Sequence, residues 1–186
     1  MKQALLVIDY SNDFVDDKGS LSCGSAGQAL DSYIAGLLEK TAAAGDFIFF
    51  CNDEHQANDD YDPEADLFPA HNIAGTWGAQ LYGQSGAIAR RLLKEMPQNT
   101  YYIAKTRYSA FFSTALDALL RRRQVKQLTV VGLCTDICVL HTVIDACYLG
   151  YTVRVPSNGC AALTSEGQNW ALRHMKDCLG VEITDA

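Results

Sequence analysis

Five short apolar runs punctuate the chain: Ala4–Ile8, Phe47–Cys51, Tyr101–Ala104, Leu128–Leu133 and Tyr151–Val155. Each is continuous rather than alternating and rich in β-branched or aromatic residues, the pattern of strands covered on both faces. Helical stretches fall between and after them, at 28–44, 84–96, 111–124, 137–149 and 165–178, and Val181–Thr184 reads as a short last strand. Strands alternating with helices predict a parallel sheet with helices on both faces. The expected fold is therefore α/β: a three-layer αβα arrangement, Rossmann-like, around a mainly parallel six-stranded sheet. No repeat, low-complexity tract or linker divides residues 1–186, so a single domain is expected. Residues 52–83 stand apart, with Asn, Asp, Pro, Gly and His but no sustained period. A stretch that long without structure inside a compact domain is usually functional.

Composition narrows the possibilities. A chain of 186 residues that is 48% hydrophobic is long enough to bury roughly 70% of its unfolded surface, which excludes a disordered chain. Its net charge of −7 argues against a nucleic-acid footprint. Arg121-Arg122-Arg123 reads as a solvated helix C-terminus, where cations complement the dipole. The first apolar run is shorter than a signal-peptide core, and no run approaches the ~18 apolar residues of a membrane span. A cytoplasmic protein without a membrane partner is expected. The seven cysteines form no C-x-x-C pair, so neither a disulfide framework nor a zinc ribbon is indicated. Cys23, Cys51, Cys147, Cys160 and Cys178 read as small core hydrophobes.

Ligands bind such sheets beyond the carboxyl ends of the strands. Four successive strand ends carry ionisable or nucleophilic side chains: Asp9, then Asp53 and His55, then Lys105, then the stretch Gly132–Cys138. Thr135-Asp136 reads as a helix N-cap, which puts Cys138 in the first helical turn. The positive end of the dipole and a nearby Lys105 ammonium would both favour a thiolate there. Cys134, four residues earlier, is the rival nucleophile. Asp9 would take up and return the thiol proton, and Lys105 would stabilise both anions. No histidine is placed to pair with Cys138: His141 lies one turn on and reads as a packing or pocket-wall residue, and His174 as a surface one. Asp53-Glu54-His55 places a carboxylate and an imidazole on one side of an extended segment, and His71 returns after a loop containing Pro63 and Pro69. Such a set suits zinc, iron or manganese with positions open to water or substrate. Neither G-x-G-x-x-G nor G-x-x-x-x-G-K-[ST] occurs, so a nucleotide-phosphate loop is not indicated.

Four blocks resemble the cysteine hydrolases of isochorismatase-like fold, and among them the nicotinamidases. They are Val7-Ile-Asp-Tyr-Ser-Asn-Asp-Phe14; Asn52-Asp-Glu-His55 with Phe68-Pro-Ala-His-Asn-Ile-Ala-Gly-Thr-Trp-Gly78; Lys105-Thr-Arg-Tyr-Ser-Ala-Phe111; and Gly132-Leu-Cys-Thr-Asp-Ile-Cys-Val139. The resemblance implies hydrolysis of nicotinamide to nicotinate and ammonia through a thioester. It makes Cys138 the nucleophile, Asp9 the general base and acid, and Lys105 the third member of the triad. It implies a cis peptide between Leu133 and Cys134, with the N–H groups of Cys134 and Cys138 as oxyanion hole. It implies a divalent metal on Asp53, His55 and His71, zinc first and iron or manganese next, that binds the pyridine nitrogen. Many relatives supply a further histidine between the two that match His55 and His71. This chain has none there; Asp59, Asp60, Asp62, Glu64 and Asp66 offer oxygen, and Glu64 is the choice because some relatives use a glutamate. Phe14, Phe68 and Tyr108 are the aromatic walls expected for a flat ring. Ser11 stands where the family often has Gln, and Trp77 replaces a smaller residue and could narrow the mouth of the pocket. A homo-oligomer is the expected assembly. Competing expectations are an N-carbamoyl or ureido hydrolase with the same triad, and a protein that binds nicotinamide without turnover. An isochorismatase, cleaving a vinyl ether, would not need the thiol of Cys138.

Overall fold

The computed structural model describes residues 2–59 and 62–184. In chain order the elements are β1 (Lys2–Ile8), α1 (Asn12–Val15), α2 (Gly24–Gln28), α3 (Asp31–Ala43), β2 (Phe47–Asp53), α4 (Gly83–Glu95), β3 (Thr100–Lys105), α5 (Leu116–Arg122) and β4 (Val125–Leu133). A π-helical turn (Thr135–Val139) then leads into α6 (Leu140–Tyr148), followed by β5 (Thr152–Pro156), β6 (Cys160–Ala161), α7 (Ser165–Leu179) and β7 (Glu182–Thr184). The sheet runs β3-β2-β1-β4-β5-β7 with every pair parallel, and the two-residue β6 pairs beside the end of β4. The expected six strands thus form the continuous path, with one short addition. Leu6, Ile8, Phe49, Phe50, Val130 and Val131 are all buried, as unbroken apolar strands require.

From β1 the chain winds outward through β2 and β3, then returns to the other side of β1 as β4 and winds the opposite way. The reversal lies between β1 and β4, and its carboxyl edge is where a ligand crevice opens in this topology. Helices α3 and α4 pack on each other along one run of strands, and α6 packs on α7 along the other.

Two local differences from the sequence reading have clear causes. The helix expected over 111–124 is only Leu116–Arg122, because Ser113 takes a left-handed φ of 53°. There the Thr114 hydroxyl donates to Ala110 O and accepts from Leu116 N–H, local bonds that compete with a helix. Strand β2 runs two residues beyond the apolar run, so Asn52 and Asp53 are in the sheet. The arginine cluster behaves as expected: Arg121 and Arg122 close α5, with Arg121 on Asp117 and on the Leu149 carbonyl. Among the described residues no helix is long and apolar enough to cross a membrane.

Gly132, paired with Ile8 across β1 and β4, has φ of 119°, and a Cβ there would lie 2.0 Å from the Ile8 carbonyl oxygen. Gly132→Ala is expected to destabilise the protein by about 2–4 kcal/mol through strain and overpacking. For a chain of this size that lowers Tm by roughly 4–16 °C. Thermal denaturation followed by circular dichroism checks it, and an unchanged Tm would contradict this account of Gly132.

Candidate active site and metal-binding cluster

Three strand ends deliver a buried charge cluster. Asp9 follows β1 in the left-handed region, with φ of 51°, a strained conformation for a residue with a Cβ and one that clusters at functional sites. Its N–H donates to Cys51 O at 3.0 Å, and its Oδ1 accepts the Asp53 N–H at 2.6 Å. Asp53 and Lys105 close β2 and β3 in matching register. Lys105 is 1% exposed, yet its Nζ lies 2.8 Å from Asp9 Oδ2, 3.3 Å from Asp53 Oδ1, 3.1 Å from the Arg107 carbonyl and 3.7 Å from Cys138 Sγ. The three carboxylate and thiol partners hold the ammonium well above its ordinary pKa despite burial. Asp9, Lys105 and Cys138 are therefore brought together.

The turn carrying Cys138 differs from the sequence reading in three ways. Its N-cap is Cys134, extended and without a side-chain cap, rather than Thr135-Asp136. The Cys134 carbonyl accepts from both Ile137 N–H and Val139 N–H, each at 3.1 Å, and the bond from Val139 widens the first turn into a π-turn. No cis peptide occurs among the described residues, so Leu133–Cys134 is trans. The bend comes one residue before β4 ends, at Gly132, whose φ suits glycine. Third, the thiol is not pre-ionised. Burial pushes Cys138 well above the thiol range and Asp9 and Asp53 add to it, outweighing Lys105. Burial also pushes Asp9 up to about 6, with Lys105 opposing and Asp53 adding.

Asp53, His55, Glu64 and His71 form the second cluster, all buried, with one potential ligand atom from each lying within 4.8 Å of the others. His55 Nε2 and His71 Nε2 lie 2.7 and 3.4 Å from Asp53 Oδ2, and His71 Nε2 is 3.9 Å from Glu64 Oε2. Each Nδ1 is tied back: that of His55 to Asp62 Oδ2 at 2.5 Å, that of His71 to the Pro69 carbonyl at 2.8 Å. Both partners accept, so Nδ1 can donate to them while Nε2 turns inward onto Asp53 Oδ2; a proton held on Nδ1 alone would leave Nε2 free to ligate, the usual arrangement around a metal. The two-nitrogen, two-carboxylate set fits a divalent transition metal. Without one, hydrogen bonding to Asp53 raises His55 to about 9, and burial together with Asp53 pushes Glu64 up. Burial also raises Asp53, but Lys105 and the hydrogen bonds from His55 and His71 outweigh it and hold Asp53 below the usual carboxylate range.

The loop is held for this purpose. His55 N–H donates to Asn72 O and Ala74 N–H to His55 O, which returns residue 71 beside residue 55. Asn72, at φ of 44°, gives its N–H to Asp13 Oδ2 at 2.7 Å, and its Oδ1 accepts the Ser11 hydroxyl at 2.8 Å. Ser11 thus secures the residue next to His71. Of the other oxygen candidates, Asp62 orients His55, and Asp59, Asp62 and Asp66 line a neighbouring depression. Asp60 lies outside the described residues.

Both clusters border one narrow cavity, walled by Asp53, Glu64, His71 and Cys138 and by Phe14, Phe68 and Tyr108. Leu21, Ile137 and Leu163 also line it, and no local signal in the sequence marks them. Trp77 does not narrow this mouth: it is exposed and away from the lining, and its carbonyl accepts from the Asn12 amide. His141 packs on the Tyr108 ring outside the cavity, and His174 stacks on Trp170. Of the five cysteines read as core, Cys51 and Cys160 are buried, Cys23 and Cys147 are half-buried and Cys178 is exposed at the end of α7.

A doubly wound parallel sheet with a thiol, a carboxylate and an ammonium at its carboxyl edge, beside a metal-type donor set, defines an α/β protein of isochorismatase-like fold. The isochorismatase domain model matches residues 3–186, and the chain belongs to that family. It is 42% identical to the uncharacterized isochorismatase family protein PncA of Bacillus subtilis over the full length of both chains. It is 30% identical to the nicotinamidase of Escherichia coli, covering 94% of this chain and 90% of that one. The crystal structure of nicotinamidase/pyrazinamidase PncA from Bacillus subtilis superimposes with a TM-score of 0.96 at 43% identity, covering 99% of this chain and all of that one. A zinc complex of the Pyrococcus horikoshii pyrazinamidase gives a TM-score of 0.85 at 25% identity, with both chains fully covered.

Calorimetric titration with Zn²⁺ or Mn²⁺ is expected to give about one ion per chain. Loss of the Asp62 tie in Asp62→Ala should weaken binding about 10–100-fold, and His71→Ala should weaken it further. Undiminished binding by His71→Ala would place the ion elsewhere.

Proposed function

We propose that this chain is a nicotinamidase, a single-domain, metal-dependent cysteine amidohydrolase that releases ammonia from nicotinamide. The observation that carries the reading is the shared cavity: Cys138 on one wall, three members of the donor cluster on another, and three aromatic rings around them. A flat heteroaromatic carboxamide is the ligand such walls suit, its ring between Phe14, Phe68 and Tyr108 and its amide carbon at the sulfur. Asp53, His55, Glu64 and His71 would hold a divalent ion, zinc by preference, and bound there it would supply a Lewis-acid position for the pyridine nitrogen.

The residues then divide the chemistry. Because the Cys138 thiol is protonated at rest and Asp9 sits near 6, attack and proton transfer go together: Asp9 accepts the S–H proton as sulfur bonds to the amide carbon. The N–H groups of Cys134 and Cys138 receive the oxyanion. Asp9 returns the proton to the amide nitrogen, the C–N bond breaks, and ammonia leaves a thioester on Cys138. Asp9 next takes a proton from water, which attacks the thioester, and the proton goes back to sulfur as nicotinate departs. Lys105 keeps Asp9 anionic between these steps and stays protonated throughout. The setting we assign is cytoplasmic and homo-oligomeric, within nicotinamide recycling to pyridine nucleotides.

Purified protein assayed with nicotinamide and with an N-carbamoyl amide tests this. Nicotinamide is expected to be the preferred substrate; Cys138→Ala should lose at least about 10³-fold in kcat, and Asp9→Asn about 10²–10⁴-fold. Chelation is expected to raise KM more than it lowers kcat. Turnover of the carbamoyl compound alone would keep the triad and discard the pyridine substrate. Tight nicotinamide binding with no ammonia release would make the chain a binding protein.

A further inference from the structure

The proposed reaction uses one thiol, and two others meet beside it. Cys23 Sγ and Cys134 Sγ are 3.3 Å apart although 111 residues separate them in sequence. Cys134 is the N-cap of the turn that carries Cys138, and it lines the cavity with that residue. Cys23 opens α2 and is half-buried, the more exposed of the two. The chain holds it in place: its N–H donates to Phe14 O at 2.9 Å, so it is fixed to the segment that supplies a cavity wall. We propose that Cys23 and Cys134 form a redox-modifiable dithiol that closes to a disulfide by exchange with a low-molecular-weight disulfide, and that closure switches off the Cys138 site.

The pair is chemically asymmetric. Cys23 is the more exposed of the two, and the hydrogen bond the sulfurs share lowers it and raises Cys134, so Cys23 is the thiol that a small disulfide meets and that attacks first. Its thiolate bonds to one sulfur of the small disulfide and expels the other as a thiolate. Cys134 then attacks the Cys23 sulfur of the mixed disulfide, gives up its proton to the thiolate released first, and expels the second. Two protein thiols and one small disulfide become one protein disulfide and two small thiols, with two electrons passing to the reagent.

Closure acts on the residue that anchors the turn. A disulfide spans about 2.05 Å, so the sulfurs now 3.3 Å apart must approach. The Cys134 carbonyl holds the N–H groups of Ile137 and Val139, on either side of Cys138, so a pull on Cys134 is passed to the nucleophile. A displacement of about 1 Å at a reacting group can cost about 100-fold in rate.

The test treats wild type and Cys23→Ser with oxidised glutathione, alkylates free thiols, maps disulfide-linked peptides by mass spectrometry, and measures ammonia release before and after dithiothreitol. The expected result is a Cys23–Cys134 linked peptide with Cys138 free, and a fall in turnover of at least about 10-fold that dithiothreitol reverses. Cys23→Ser should keep its basal turnover and retain it after oxidation. Absence of the linked peptide, a linked peptide with undiminished turnover, or equal loss in Cys23→Ser would each overturn the proposal. If the reduced protein releases no ammonia at all, that failure belongs to the substrate assignment, and the linked peptide alone decides the dithiol.

Discussion

A lysine ammonium can stand inside a protein only where opposite charge compensates the water it has lost. Lys105, all but inaccessible at the end of β3, meets that condition through Asp9 and Asp53, each of which would be equally untenable alone. The three come from the carboxyl ends of neighbouring strands, so parallel register is what assembles them. Asp53 is the hinge of the arrangement: one carboxylate oxygen faces Lys105 and the other faces His55 and His71. A single side chain therefore joins the charge network beside Cys138 to the metal-type cluster, and neither half can shift without disturbing the other.

Burial sets the protonation logic as well. The desolvation that keeps Cys138 a thiol also raises Asp9 to about 6. A carboxylate at that level can take a proton and return it within one cycle, which a freely solvated aspartate near 4 does less well. In the proposed reaction the ammonium stabilises the anions that form on Asp9 and Cys138 and keeps its own proton. A resting thiol is also less exposed to adventitious oxidation than a thiolate, whereas Cys23, on the other side of the same turn, is biased toward ionisation.

Three departures from ordinary backbone geometry lie around this centre: Asp9 and Asn72 with positive φ, and Gly132 one residue before the end of β4. Such conformations cost about 1–3 kcal/mol each for residues with a Cβ, and the surrounding sheet and hydrogen bonds hold them. Asp9 is fixed by Cys51 and Asp53, and Asn72 by Asp13, Ser11 and His55. The described parts of the long loop, 54–59 and 62–82, have little regular structure of their own and are held by these specific bonds.

The strands and the chemistry at their ends were legible from sequence. Continuous apolar runs identify buried parallel strands, and in such a sheet all carboxyl ends share one edge, so Asp9, Asp53, Lys105 and Cys138 fall near one another. Pattern is a local property, and what escaped it was not local. Pattern alone left the loop carboxylate open and only the family resemblance pointed to Glu64; the bonds to His55 and Asn72 set the path that brings Glu64 into the cluster, while Asp62 orients a histidine. The ionisation of Cys138 depends on desolvation and on two carboxylates from other strands, which overrode the helix-end argument drawn from its own segment. Leu21 and Leu163 in the cavity wall, and the contact of Cys23 with Cys134, arise from packing between distant segments. The sequence determined which groups reach the edge of the sheet, because periodicity and strand order do. The tertiary structure decided their charge and their partners, because burial and pairing belong to several elements at once.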